Sequence, residues 1–155
     1  MTTLWRISNY AELSGEGGMR ASARWHTKGR LIVYLAESPA SALLERIVHL
    51  TDRNEDGDLP PYYQLLKISV PDECEIKSLT TLVPIDWREQ DDFTRSMGDS
   101  WLASLETPLA RVPSSIVPHT ANFLLNPEHT LATRVLIEER TKERFDNRLF
   151  RFGPR

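Results

Sequence analysis

The run Leu31-Ile32-Val33-Tyr34-Leu35, followed closely by Ser38-Pro39 and a helical pattern, constrains this chain more than any other segment. A β-branched stretch with no polar break has no face to offer water, so it reads as a strand covered on both sides and central in its sheet. Ser38 suits a helix N-cap, and Pro39 suits the first helical position, where a missing N–H costs nothing. Beyond them Ala40, Leu43, Leu44, Ile47, Val48 and Leu50 recur at helical spacing. Ser41, Glu45 and His49 fall four apart on the opposite side, where solvent is expected.

The remaining segments are shorter. Residues 4–7 read as a first strand, 9–18 as a glycine-marked loop and 51–61 as a polar, acidic loop ending in a Pro-Pro pair. Residues 63–70 form a strand that Pro71 breaks. A second helix is expected over 91–104, anchored by Trp101 and Leu102. Pieces at 109–112, 116–117, 122–125, 134–138 and 148–152 read as short strands. Trp5, Trp87 and Trp101 are expected in the core. At 155 residues, without repeats or linkers, the chain suits a single domain spanning 1–155. Irregular strands with two helices point to α+β, a mixed sheet with flanking helices, rather than a regular βαβ alternation.

Several function classes fall away. A net charge of −3 gives no global attraction to nucleic acid or anionic membrane. No apolar window approaches the roughly 18 residues that span a bilayer, and the N-terminus lacks a signal-peptide pattern, so a soluble, cytoplasmic protein is expected. The lone Cys74 sits among Asp72, Glu73 and Glu75, which disfavour a thiolate, and reads as filler. The glycines at 15, 17 and 18 match neither a P-loop nor a dinucleotide fingerprint. The histidines at 26, 49, 119 and 129 have no metal-ligand spacing, so no metal is expected. No Gly-x-Ser-x-Gly elbow is present.

Three ordered segments carry a resemblance. They are Gly18-Met19-Arg20 through Arg24-Trp25-His26-Thr27-Lys28-Gly29; Val33 through Pro39 into Leu43-Leu44-Glu45; and Val112-Pro113-Ser114-Ser115-Ile116 with Asn122 and Asn126-Pro127. Together with Leu4-Trp5-Arg6-Ile7 and Phe145-Asp146-Asn147-Arg148-Leu149-Phe150, they make the chain similar to the RES domain, named for its Arg, Glu and Ser, over nearly its whole length. The resemblance implies a fold related to ADP-ribosyltransferases and a toxin that degrades NAD. Such toxins release nicotinamide by phosphorolysis with inorganic phosphate as co-substrate, and some relatives transfer ADP-ribose to a protein. It also implies an Xre-like antitoxin as partner and a homodimer. By position, Arg24, Tyr34, Glu45 and Ser114 match the family's arginine, tyrosine, glutamate and serine, with Ser115 an alternative to Ser114.

The chemistry suits these residue types. Breaking the nicotinamide–ribose bond leaves an oxocarbenium-like ribose, which a carboxylate such as Glu45 can stabilise. A pyrophosphate favours a guanidinium fork, so Arg24, assisted by Arg6, is the candidate. Tyr34 can stack on nicotinamide or donate a hydrogen bond, Ser114 can hydrogen-bond ribose or the incoming phosphate, and Asn122 is a further cofactor-binding candidate. Each residue has a plainer reading: a solvated helix glutamate, a surface arginine stacked on Trp25, a core tyrosine, a serine shaping a turn. A nuclease toxin and a non-catalytic interaction module are the alternatives of another class. The lack of a basic stripe weighs against the first.

Overall fold

The computed structural model describes residues 1–51 and 61–150. Seven strands build one mixed sheet: β1 (Thr2–Ile7), β2 (Val33–Ala36), β3 (Tyr62–Val70), β4 (Ile76–Ser78), β5 (Leu109–Pro113), β6 (Ala121–Leu125) and β7 (Leu136–Arg144). Their order is β4-β5-β6-β2-β1-β3-β7. Only β4 and β5 run parallel; the other neighbours are antiparallel. Helices α1 (Gly17–Arg20), α2 (Pro39–Thr51) and α3 (Asp91–Ser104) complete the α+β architecture.

Strand β2 takes the middle position, as its unbroken apolar character requires. Val33 and Leu35 enter one core with Leu4, Leu66, Ile68, Leu109, Phe123 and Leu125. Tyr34 packs against a second core on the other face, with Trp25, Trp87, Trp101, Leu102, Val112 and Leu124. Leu4, Leu66 and Leu109 are essentially inaccessible, and each such side chain contributes about 1.5–3 kcal/mol of burial. Tyr34 lies opposite Leu124, Ala36 opposite Asn122, and Val112 opposite Asn122 from the far side. Because side chains alternate along a strand, Tyr34, Ala36, Val112 and Asn122 share one face. That face carries the candidate site.

Some expected elements differ. Residues 31 and 32 precede β2: the Ile32 amide bonds the Gly15 carbonyl instead of a neighbouring strand. Residues 116–117 form a turn, because their amides donate to Ser114 Oγ at 3.1 and 3.3 Å rather than to a ladder. The piece at 134–138 is the entry to a longer strand, preceded by a 3-10 turn over Thr130–Arg134. Residues 147–150 form a 3-10 turn rather than a strand, with the Asp146 carboxylate accepting from the Arg148 amide; the rest of that expected strand lies outside the described residues, as does most of the 51–61 loop. The helix over 91–104 stands as expected.

Two burial expectations also change. On α2, Ala42 and Leu50 are buried, whereas Leu44 and Val48 are exposed and Glu45 is half-buried. The helix is thus seated with Glu45 turned toward the sheet rather than into water. Trp87 and Trp101 are core residues, joined by Trp25, but Trp5 is only half-buried. Cys74 is buried, and burial, then the Glu73 charge, pushes its thiol up, consistent with filler.

Candidate functional site

The loop bearing Arg24 is stapled to α3. Thr94 donates from Oγ1 to the Arg24 carbonyl at 2.6 Å, and Arg95 Nε donates to the Ala23 carbonyl at 2.8 Å. The Asp99 carboxylate accepts from the Thr27 amide and hydroxyl at 2.9 and 2.6 Å. Gly98 makes this approach possible: a Cβ there would collide with the Trp25 carbonyl oxygen. A glycine inside a helix costs about 1 kcal/mol relative to alanine, so its presence marks a close backbone approach. The Arg24 guanidinium stacks over Trp87 with its carbon 5.5 Å from the ring centroid, donates to the Arg88 carbonyl at 3.1 Å, and lies 3.4 Å from Asp91 Oδ1. Arg88 covers Trp87 too, at 5.1 Å, and its Nε donates to the Ser115 carbonyl at 3.3 Å. Arg24 is thereby connected through Arg88 to the loop carrying Ser114.

Tyr34 stands in β2 with its hydroxyl beneath this loop. The hydroxyl oxygen receives the Trp25 amide at 3.3 Å and lies 2.7 Å from His26 Nδ1. Burial raises the phenol above its ordinary value, so it stays protonated. Its hydroxyl is engaged within the protein, which leaves the ring as the surface available to a ligand. Burial lowers His26, keeping the imidazole neutral near pH 7.

Glu45 and Asn122, distant in sequence, meet directly: Asn122 Nδ2 donates to Glu45 Oε1 at 2.8 Å. Asn122 Oδ1 is buried without a hydrogen-bond partner among the described residues. Asn122 is a diagonal neighbour of Tyr34 across β2 and β6, at roughly 7–8 Å for such pairs. Ser114 continues the same face beyond β5. It is buried, and its Oγ accepts the two turn amides described above, so it shapes its loop at the least. Ser115 is half-buried and is held through its carbonyl.

Arg6 is placed differently. It pairs across from Leu66, a residue of the first core, and so projects from the sheet face opposite the Tyr34 ring. Its Nη1 donates to the Tyr34 carbonyl at 2.9 Å, while its buried Nε has no partner among the described residues. Burial lowers its pKa, partly offset by Glu12. Arg6 reaches the site through the β2 backbone.

Tyr34, Glu45 and Asn122, together with the Arg24 and Ser114 loops, thus lie on one side of the sheet; no ion pair joins Arg24 to Glu45. Sequence reading passed over His26, Trp87 and Arg88 as site neighbours. Nothing in spacing marks them, although the helical Thr94-x-x-x-Gly98 spacing was a legible sign of something pressed against α3. A polar cleft of about 440 Å³ opens between the same loop and α3, lined by Ser22, Thr27, Arg30, Arg95 and Asp99 among others; none of Arg24, Tyr34, Glu45 or Ser114 lines it. Among the described residues no group of His, Cys, Asp or Glu is placed to hold a metal, and no helix is long and apolar enough to cross a membrane.

This arrangement, a seven-stranded mixed sheet with an arginine loop locked on one helix and a carboxylate presented by another, defines an α+β class that comparison makes specific. The RES domain model matches residues 3–147, and the chain belongs to that family. It is 44% identical over 149 residues to Toxin Res of Pseudomonas putida, covering 95% of this chain and 99% of that one. It is 36% identical over 162 residues to the Prs ADP-ribosylating toxin of a Sphingobium species, covering 97% and 98%. The toxin–antitoxin complex MbcT–MbcA of M. tuberculosis shares the fold, with a TM-score of 0.69, 20% identity, and coverage of 92% of this chain and 84% of that one.

Proposed function

We propose that this RES-family chain is a toxin that cleaves the nicotinamide–ribose bond of NAD. The observation that carries the reading is Glu45. A helix glutamate expected in solvent is instead held against the sheet by Asn122, on the face of the Tyr34 ring. A half-buried carboxylate oriented by a neutral amide is placed to face the ribose as positive charge develops there. The unpartnered Asn122 Oδ1 is suited to accept a ribose hydroxyl. Arg24, already held over the Trp87 ring, presents the rest of its guanidinium to the pyrophosphate, and Arg88 beside it adds a second cation. The Tyr34 ring supplies a stacking surface, Ser114 orders the loop at the edge, and Arg6 steadies β2 from behind.

In the proposed phosphorolysis, an oxygen of inorganic phosphate bonds the ribose C1′ while the C1′–nitrogen bond breaks and its electron pair leaves with neutral nicotinamide. No metal is needed. A second reading, ADP-ribosyl transfer to a protein, is favoured by the 36% identical ADP-ribosylating relative. Both require the same bond cleavage. Labelled NAD separates them: label in a phosphorylated small molecule supports phosphorolysis, and label on protein supports transfer. Absence of nicotinamide release by the folded chain with phosphate refutes phosphorolysis, and absence of release with a cell extract as protein acceptor also present refutes both. The fold shared with a toxin of a toxin–antitoxin complex supports an antitoxin partner, proposed to be Xre-like, acting with a toxin homodimer of single-domain chains in the cytoplasm.

A further inference from the structure

We infer that His26 is a positioning residue that ties the loop carrying Arg24 to strand β2 through the Tyr34 hydroxyl; the inference rests on the proposed reading of Arg24 and Tyr34 as an NAD site. His26 is buried, with Nε2 2.9 Å from the Ala21 carbonyl and Nδ1 2.7 Å from the Tyr34 hydroxyl. A carbonyl can only accept, so Nε2 carries the proton. In the neutral ring Nδ1 is then a bare lone pair, and the Tyr34 hydroxyl must donate to it. The Tyr34 oxygen keeps its own lone pairs, one of which receives the Trp25 amide. The chain of bonds runs from Ala21 through His26 and Tyr34 to Trp25 with every proton assigned.

Both ends of that chain lie in the segment that contains Arg24, and its middle is a β2 side chain on the site's face. Tyr34 therefore holds the arginine loop from below while α3 holds it from the side. A protonated imidazole would present Nδ1–H to the Tyr34 O–H, donor against donor, and the hydroxyl would have to turn away. The groups facing His26 are Asp99 and Arg95 from α3, of opposite sign, and the backbone of Gly18 and Ala21. With the two charges opposed, burial outweighs the backbone hydrogen bonds, which favour the charged ring, and the imidazole stays neutral.

The plainer alternative is a core histidine that merely fills space, and two variants separate the roles. Asparagine at position 26 can place an acceptor oxygen where Nδ1 lies; leucine fills the volume without one. For folded His26→Leu we expect kcat/KM for nicotinamide release to fall about tenfold, the scale of one positioning hydrogen bond, with the loss mainly in KM for NAD. For His26→Asn, activity within about threefold of the parent is expected on the same scale. Nitrogen-15 spectra of the His26 imidazole should show the Nε2–H tautomer at pH 7. Equal impairment of both variants, parental kcat/KM in the leucine variant, or an Nδ1–H tautomer overturns the inference. If the parent releases no nicotinamide, the NAD reading fails by itself, and Trp25 amide exchange decides the tie. Protection in the parent and asparagine variant but not in the leucine variant sustains it; equal exchange in all three overturns it.

Discussion

Replacing Glu45 by glutamine isolates charge from shape at the proposed centre. The amide can still offer a carbonyl oxygen to Asn122 Nδ2, 2.8 Å away in the parent, but then its NH2 points where a carboxylate oxygen stood. On the folding side, a charge-assisted hydrogen bond worth about 1.5–3 kcal/mol becomes a neutral one worth about 0.5–1.5. Because Glu45 is half-buried, solvent screening puts the loss near the low end, about 1 kcal/mol. For a chain of this length that is roughly 2–4 °C in Tm. On the reaction side, the negative charge facing the developing oxocarbenium is gone, and a loss of about 10²–10⁴ in rate, or 3–5 kcal/mol, is expected. Nicotinamide release followed by chromatography, alongside a calorimetric melt, reads both quantities. A folded variant with parental turnover refutes the assignment. A Tm drop far beyond this range would show instead that Glu45 is chiefly a structural strut.

Gly98→Ala should destabilise the fold by about 2 kcal/mol or more, since its Cβ meets a backbone carbonyl rather than a yielding side chain; chemical denaturation would measure it, and a neutral result would mean that α3 does not seat so closely on Trp25. Ser114→Ala leaves the Ile116 and Val117 amides without their acceptor, costing about 1–2 kcal/mol; an activity loss far larger than the stability loss would place the hydroxyl in contact with substrate. The lowered His26 pKa sets a pH dependence. The unfolded chain takes up the proton near its ordinary value of about 6.5 while the fold resists it, so the stabilisation is present above that pH and is lost as pH falls through the lower folded value. Melting from pH 7 to pH 5 should show a steeper decline in the parent than in His26→Asn, and matching slopes would contradict it.

Much of this fold can be read from local pattern alone. The run ending at Leu35 had to be central because it carries no polar face, Ser38-Pro39 had to open a helix, and Trp101 and Leu102 anchor the α3 segment. Short apolar pieces were another matter. Residues 116–117 have strand composition, yet a serine two positions earlier captures their amides; residues 148–150 are turned by the neighbouring Asp146. Such competition between side chain and ladder is invisible to period.

The site divides in the same way. Arg24, Tyr34, Glu45, Ser114 and Asn122 were singled out by family resemblance, and their residue types suit the chemistry. Helical periodicity placed Glu45 in water, because it ranks faces by hydrophobicity and knows nothing of an amide waiting 77 residues away. The amino-acid sequence by itself determined the central strand β2, the strand β3 and the helices α2 and α3, since those follow from side-chain pattern and backbone preference within a few residues. Only the tertiary structure decided that Asn122 turns a surface glutamate inward, that Gly98 lets a loop press onto α3, and that His26 holds the tyrosine. Those outcomes depend on which surfaces come within hydrogen-bonding distance after the sheet has closed.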